Sequence, residues 1–312
     1  MRTKQSAFYC IILLFSLAFS CSSGEKSSFK FPRQKLIPLH AKMGAPKPGD
    51  WLTSHEERDM TLDQYKQRIP IRPTKTRNII YIQPIGNFTA YEVLLIQTTA
   101  HYLEAFFGLH TVVRKNWDNK RVPEENRRYF HKTGILNADS TAVIGYINDT
   151  GKVQFNTQYI LHELLYPDLP GDAACMIALC NKDLYPDETF NFVFGQAALK
   201  KRVGVWSFYR FGDASKEYKP VLLRTLKTAS HETGHMFSLS HCKKYYCIMN
   251  GSNHLDEADG KPTWLCPDCL EKFCWNFNIE PKNYFERVRE FWKKNDMKEI
   301  VEGYDRFIKA IE

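Results

Sequence analysis

Apolar residues recur at helical spacing across Ala90–Phe107, through Val93, Leu94, Ile96, Ala100, Leu103 and Phe107, and predict an amphipathic helix that Gly108 ends. Short apolar runs of strand length surround it. Asn78–Gln83 reads as a buried strand, Leu109–Val113 as a second and Ala142–Ile147 as a third; Asn191–Gly195 and Val203–Phe208 add two more. Asn156 is placed to cap a helix running through Tyr166, with Pro167 as its stop. Residues 220 to 237 predict a further helix. Pro220 suits its first turn, and Val221, Leu222, Leu226, Ala229, Thr233, Met236 and Phe237 supply its buried side. The charged stretch 55 to 68 predicts a short helix, and 281 to 312 an amphipathic helical segment packed on the rest. Strands separated by helices predict an α/β fold: a mixed, mostly parallel twisted sheet with helices on its faces.

The start of the chain has a different texture. Arg2 and Lys4 precede the almost wholly apolar Ala7–Phe19, and small residues follow from Ser20 to Gly24. An apolar stretch of thirteen residues is too short to span a bilayer comfortably and suits a secretory signal. Leu17–Cys21 is similar to the lipobox of bacterial lipoproteins, although Phe19 stands where a small residue is usual. That likeness implies lipidation of Cys21. The expected location is therefore exported: a periplasmic or membrane-anchored lipoprotein, otherwise a secreted protein. A short N-terminal anchor or an unprocessed tail is the competing reading. Residues 1–21 then form the signal and lipobox, 22–70 a tether and loosely ordered N-terminal extension, 71–280 the main domain and 281–312 the C-terminal helical segment.

Composition narrows the classes. Of 312 residues 43% are hydrophobic, which is enough for a core. The absence of repeats and low-complexity tracts excludes solenoids and fibres. The net charge of +8 falls to +6 without Arg2 and Lys4, and it is spread along the chain with no Lys/Arg block. A solvated surface accounts for it, and no nucleic-acid partner is expected. Acidic substrates or an anionic membrane surface are a weaker alternative.

The candidate chemistry lies in "HETGHMFSLSHCKKYYC", residues 231 to 247. His231 and His235 are four residues apart, so on a helix both imidazoles leave nearly the same face and can reach one ion. Glu232 beside them can address a water on that ion, the HExxH pattern of zinc hydrolases. Alone the pattern is weak. His162-Glu163 begins the same way, but Tyr166 stands where its second histidine is needed. His241 adds specificity. Six residues past His235 it is turned about 600° along a helix, two-thirds of a turn from the other two. The helix must therefore stop near Ser238 and the chain bend back. Three imidazoles then leave one zinc position open, as catalysis requires.

His231 to His241, followed by Met249, resembles the metzincin metallopeptidases, and the extension through Cys242, Cys247, Cys266 and Cys269 resembles the archaemetzincins in particular. Pro46–Trp51, Asp183–Pro186, Phe192–Gln196 and Asn253–Asp259 are similar to that family as well. The resemblance implies a zinc metallopeptidase with an aminopeptidase-like or short-peptide specificity, in which Glu232 activates a zinc-bound water. It implies that Met249 forms the methionine turn beneath the metal without ligating it. It also implies an antiparallel edge strand, Phe190–Gln196, that pairs with extended substrate. Ser238 departs from the family, which usually has glycine at the bend; a left-handed serine costs about 1–2 kcal/mol. The alternative function is a non-catalytic, zinc-stabilised module that binds peptide or a surface.

Nine cysteines complete the picture. Cys10 lies in the apolar start. Cys242 and Cys247, with Cys266 and Cys269, have the spacing of a closed tetrahedral zinc site. Two Zn2+ ions are expected, one catalytic on His231, His235 and His241 and one structural on the four cysteines. Disulfides are the competing reading for an exported chain. Cys175 and Cys180 are expected as buried thiols in a helix or loop, otherwise as a bridge, and Cys274 as a spare thiol. The expected partners are a peptide or protein substrate and a membrane through the lipid anchor. The chain is read as a monomer.

Overall fold

The computed structural model describes residues 30–136, 142–148 and 152–312. The signal and lipobox, with Cys10 and Cys21, lie outside the described residues.

Ten strands are described: β1 (Ile79–Ile85), β2 (His110–Val113), β3 (Arg127–Arg128), β4 (Phe130–Leu136), β5 (Ala142–Asn148), β6 (Gln154–Asn156), β7 (Ala173–Cys180), β8 (Asp183–Tyr185), β9 (Gly195–Ala198) and β10 (Val203–Ser207). Five of them form the main sheet in the order β2-β1-β7-β10-β9. The first three pairings are parallel, and only β10 with β9 is antiparallel. The sheet is thus mostly parallel with one antiparallel edge. β3, β6 and β8 form a small second sheet, and β4 with β5 a separate antiparallel hairpin.

Four sequence expectations change here. The central strand β7 has no counterpart among the predicted strands. All eight of its residues are buried, because it is covered on both faces, so its sequence "AACMIALC" shows no alternation. Cys175 and Cys180 therefore sit in a strand, not in a helix or loop, and neither is bridged. The predicted strand at Ala142 exists as β5, but it pairs with β4 rather than joining the main sheet. The edge strand begins later than Phe190. Asp187 accepts from the Thr189 backbone in a turn, and Arg128 and Gln154 occupy the carbonyls of Phe190 and Asn191, so ladder pairing starts at Gly195.

The helices are α1 (Arg33–Leu36), α2 (Trp51–Ser54), α3 (Leu62–Gln67), α4 (Ala90–Phe107), α5 (Thr157–Tyr159), α6 (Tyr218–Met236), α7 (Leu255–Gly260), α8 (Pro267–Phe277), α9 (Pro281–Lys294) and α10 (Lys298–Ile311). α4 has the predicted span, but Val93 and Leu94 of its predicted apolar spacing are exposed. Thr89 and Glu92 cap each other reciprocally, and Gly108 closes the helix with a left-handed φ of 68°. Asn156 caps α5 as expected, and the chain continues as a wider π turn over Ile160–Leu165. The short helix expected over 55 to 68 is confined to α3, which Thr61 and Gln64 cap.

α9 and α10 pack on one another, and α9 also packs on α4. Phe106, Phe107, Phe273 and Tyr284 meet there at ring separations of 5.0–5.7 Å. Such aromatic pairs contribute about 0.5–1.5 kcal/mol each beyond the area they bury. The N-terminal lead-in is not loose from Lys30 on. Leu36 is fully buried, and Arg33 pairs with Asp268 and Glu271 on α8.

Candidate metal centres

α6 runs along the main sheet and carries His231 and His235 one turn apart. It ends where the sequence required. Ser238 takes a left-handed φ of 67°. Its N–H reaches the His235 carbonyl at 2.8 Å, and the Leu239 N–H reaches the Gly234 carbonyl at 3.0 Å, which is the paired closure of a Schellman motif. Three further contacts fasten this bend. The Tyr65 hydroxyl on α3 donates to the Phe237 carbonyl at 2.6 Å, Asn276 on α8 donates to the same carbonyl at 3.2 Å, and Ser238 Oγ accepts from the Ile71 N–H at 3.0 Å.

The bend brings His241 back to the other two histidines. One ring nitrogen from each of His231, His235 and His241 lies within 4.8 Å of the others. His231 Nε2 and His235 Nε2 are 3.0 Å apart. Each outer nitrogen is held: His231 Nδ1 by the Ile248 carbonyl at 2.9 Å, His235 Nδ1 by the Leu239 carbonyl at 2.7 Å and His241 Nδ1 by the Glu57 carboxylate at 2.6 Å. Every partner is an acceptor, so each Nδ1 carries the proton and each Nε2 lone pair faces the common centre. Burial holds all three imidazoles below the usual histidine range, His235 down to about 3, although Glu57 pulls His241 the other way. Neutral rings with convergent lone pairs are what zinc takes from histidine.

Glu232 is buried beside them, and burial lifts its carboxyl to about 7 against the opposing pull of Lys261. Gly195, the first residue of β9, lies so close that a Cβ there would stand 3.0 Å from the Glu232 carboxyl. The edge strand and the glutamate are thus in direct register. A cleft of about 180 Å³ opens over the site, lined by Trp51, His55, Phe192, Phe194, Phe211 and Leu255 among others. Met249 is fully buried beneath, and its Sδ would lie 2.8 Å from a Cβ at Gly234, so glycine there lets the methionine pack against α6.

The four cysteines form the second cluster. One sulfur from each of Cys242, Cys247, Cys266 and Cys269 lies within 4.8 Å of the rest, and all four residues are buried. Cys242 Sγ and Cys266 Sγ are 3.7 Å apart. That is far beyond a disulfide bond of about 2.05 Å. It equals the separation that four sulfurs about 2.3 Å from a tetrahedral zinc would show. All seven cysteines among the described residues are free. The N–H groups of Met249 and Cys266 point at Cys247 Sγ, at 3.5 and 3.2 Å. Thiol hydrogen bonds from Cys247, Cys266 and Cys269 pull Cys242 far below the ordinary thiol range. The donor set therefore fits a thiophilic cation. Cys274 lies outside this cluster, buried on α8.

Two features of the site were not read from the sequence. Glu57 is 184 residues from His241, and no local spacing connects them. Asp50, His254 and Glu257 also gather, but their atoms are engaged in a latch. Glu257 accepts from the N–H groups of Trp51 at 2.9 Å and Asn253 at 2.7 Å, and His254 Nδ1 accepts from the Glu257 N–H at 3.3 Å.

Known proteins bear on this geometry. Residues 171–274 match Peptidase family M54. The chain is 32% identical over 288 residues to Archaemetzincin-2 of Rattus norvegicus, covering 80% of this chain and 73% of that one. It is 37% identical over 112 residues to the archaemetzincin of Thermococcus kodakarensis, covering 34% of this chain and 59% of that one. Among solved structures it is similar to the archaemetzincin of Methanopyrus kandleri, with 24% identity and a TM-score of 0.48 over 65% of this chain and 97% of that one.

The expectation of an exported lipoprotein is overturned by these relatives, which are archaemetzincins. A basic start with a short apolar run is a pattern of low specificity. Cys21 lies outside the described residues, and among those residues no helix is long and apolar enough to cross a membrane.

Proposed function

This chain belongs to the archaemetzincins, peptidase family M54, and is a zinc metallopeptidase; from that premise we propose that His231, His235 and His241 hold the catalytic zinc and that Glu232 moves the proton during peptide hydrolysis. The observation that carries this reading is the convergence of three Nε2 atoms whose Nδ1 atoms are all tied to acceptors. Zinc, when bound, supplies Lewis acidity that acidifies a water and polarises the peptide carbonyl. Glu232 takes the proton as water attacks and passes it to the departing amine. Its raised pKa, about 7, suits both halves of that task.

The exposed edge of β9 aligns the substrate in this reading. It pairs with β10 on one side and offers backbone N–H and C=O groups on the other, so extended peptides bind with modest side-chain selectivity. The apolar cleft favours a hydrophobic side chain next to the scissile bond. Aminopeptidase-like trimming of short peptides is the specificity proposed with it. Cys242, Cys247, Cys266 and Cys269 hold a second, structural zinc, and Met249 packs under the first without ligating it.

Glu232→Gln tests the proton-transfer role. The expected outcome is a 10²–10⁴-fold loss of kcat on a peptide library with zinc content unchanged. Turnover equal to that of the parent chain would remove Glu232 from the mechanism. Parallel digests of peptides with free and with blocked amino termini decide the trimming mode, since aminopeptidase action needs the free terminus.

A further inference from the structure

His231 and His235 are positioned by their own helix and by backbone carbonyls. His241 has neither support. It lies past the left-handed bend, and its Nδ1 is held by a side chain from a segment that comes before the whole sheet. We propose that Glu57 is the positioning residue for His241, delivered by residues 46–57 acting as a strap, and that zinc binding at the histidines and docking of this strap are coupled. The proposal rests on the reading of those histidines as zinc ligands.

The strap is fastened at several points. Asp50 accepts from the Lys47 N–H at 2.7 Å, which turns the chain into α2. The Trp51 N–H binds the Glu257 carboxylate at the start of α7, and Asn253 Nδ2 donates to the Gly49 carbonyl at 3.1 Å. The Trp51 ring then lies over Gly251, where a Cβ would come within 2.4 Å of it, so only glycine leaves room for the indole. That ring stacks on His55 at 3.6 Å and meets His241 edge-on at 4.9 Å. Its Nε1 donates at 2.9 Å to Glu57 Oε1, the same oxygen that holds His241. Trp51 thus fixes the carboxylate, and the carboxylate fixes the imidazole. Both side chains of the Glu57–His241 pair are more than four-fifths buried.

The chemistry of the acceptor matters. A carboxylate bonded to Nδ1 raises the basicity of Nε2 and holds the ring more firmly than a neutral carbonyl does. A dication at Nε2 in turn offsets the cost of burying the Glu57 charge. Linkage makes the coupling reciprocal: the factor by which the docked strap tightens zinc is the factor by which zinc tightens the strap.

The test uses the full chain and zinc alone. Competition with a chromophoric chelator measures zinc affinity at each site in the parent, Glu57→Ala and Glu57→Gln. Glu57→Ala is expected to weaken the histidine site 10–100-fold and to leave the four-cysteine site unchanged. Glu57→Gln keeps an acceptor oxygen and is expected to fall between the two, which keeps the test decisive if the alanine variant fails to fold. Removing only the histidine-site zinc is expected to speed trypsin cleavage at Arg58, which is exposed at the end of the strap. Histidine-site affinity within twofold of the parent in both variants, or cleavage at Arg58 indifferent to zinc, overturns the proposal. A parent chain that binds no zinc at the histidines overturns instead the reading beneath it.

Discussion

The histidine and cysteine clusters meet at the peptide bond between His241 and Cys242, yet they are built on opposite principles. The histidine cluster, the proposed catalytic site, brings together three ring nitrogens, outer nitrogens tied to acceptors, and a cleft above it. The cysteine cluster, the proposed structural site, has four sulfurs, all on buried residues, and backbone N–H groups aimed at one of them. In the proposed reading one leaves a coordination position for substrate chemistry, and the other has none to spare. Ligand number and access, not the strength of individual contacts, separate a site for turnover from a site for folding. Their adjacency has a use, because whatever fixes Cys242 also ties down the backbone beside His241. Asn250 shows the cross-bracing: its amide donates to the carbonyls of Cys242 at 2.6 Å and Tyr245 at 3.0 Å, while its Oδ1 accepts from the Cys247 N–H at 2.7 Å.

Breaking one site at a time sharpens this contrast. Cys247→Ser has the largest expected effect. A structural zinc contributes on the order of 10 kcal/mol, comparable to the whole stability of a typical domain. The variant is expected to lose its folded circular-dichroism signal, whereas His235→Ala keeps the fold and loses only one zinc and activity. Equal thermal stability of the two variants would erase the distinction. A smaller effect is expected at the bend. Ser238→Ala removes the acceptor for the Ile71 N–H and keeps the left-handed strain, a loss of about 1–2 kcal/mol. Ser238→Gly loses the same bond but relieves the strain, so it is expected to be about 1 kcal/mol more stable than the alanine variant by denaturant unfolding. The reverse order would mean that serine at this bend carries no backbone cost.

The bend also shows what the sequence made legible. The spacing of His235 and His241 demanded a break near Ser238, and the left-handed residue is found there. Local patterns served where one face was wet: the span of α4 and its terminal glycine could be read, although Val93 and Leu94 of the predicted apolar spacing are exposed. They failed where both faces were dry. β7 is apolar throughout and carries no periodicity, so the strand at the centre of the sheet went unread. They failed again where long-range partners decide the outcome. The carbonyls of Phe190 and Asn191 are taken by Arg128 and Gln154, which delays the edge strand, and Glu57 reaches His241 across most of the chain. Pro46–Trp51 is similar to the family in sequence, but only the packed structure shows the Trp51 ring against His241.

Zinc counted by mass spectrometry during graded chelation tests the central claim most directly. The account predicts two ions per chain: one leaves at low chelator together with peptidase activity, and the other stays until the chain unfolds. A single ion, simultaneous loss of both, or two ions retained after His231, His235 and His241 are all replaced by alanine would contradict it.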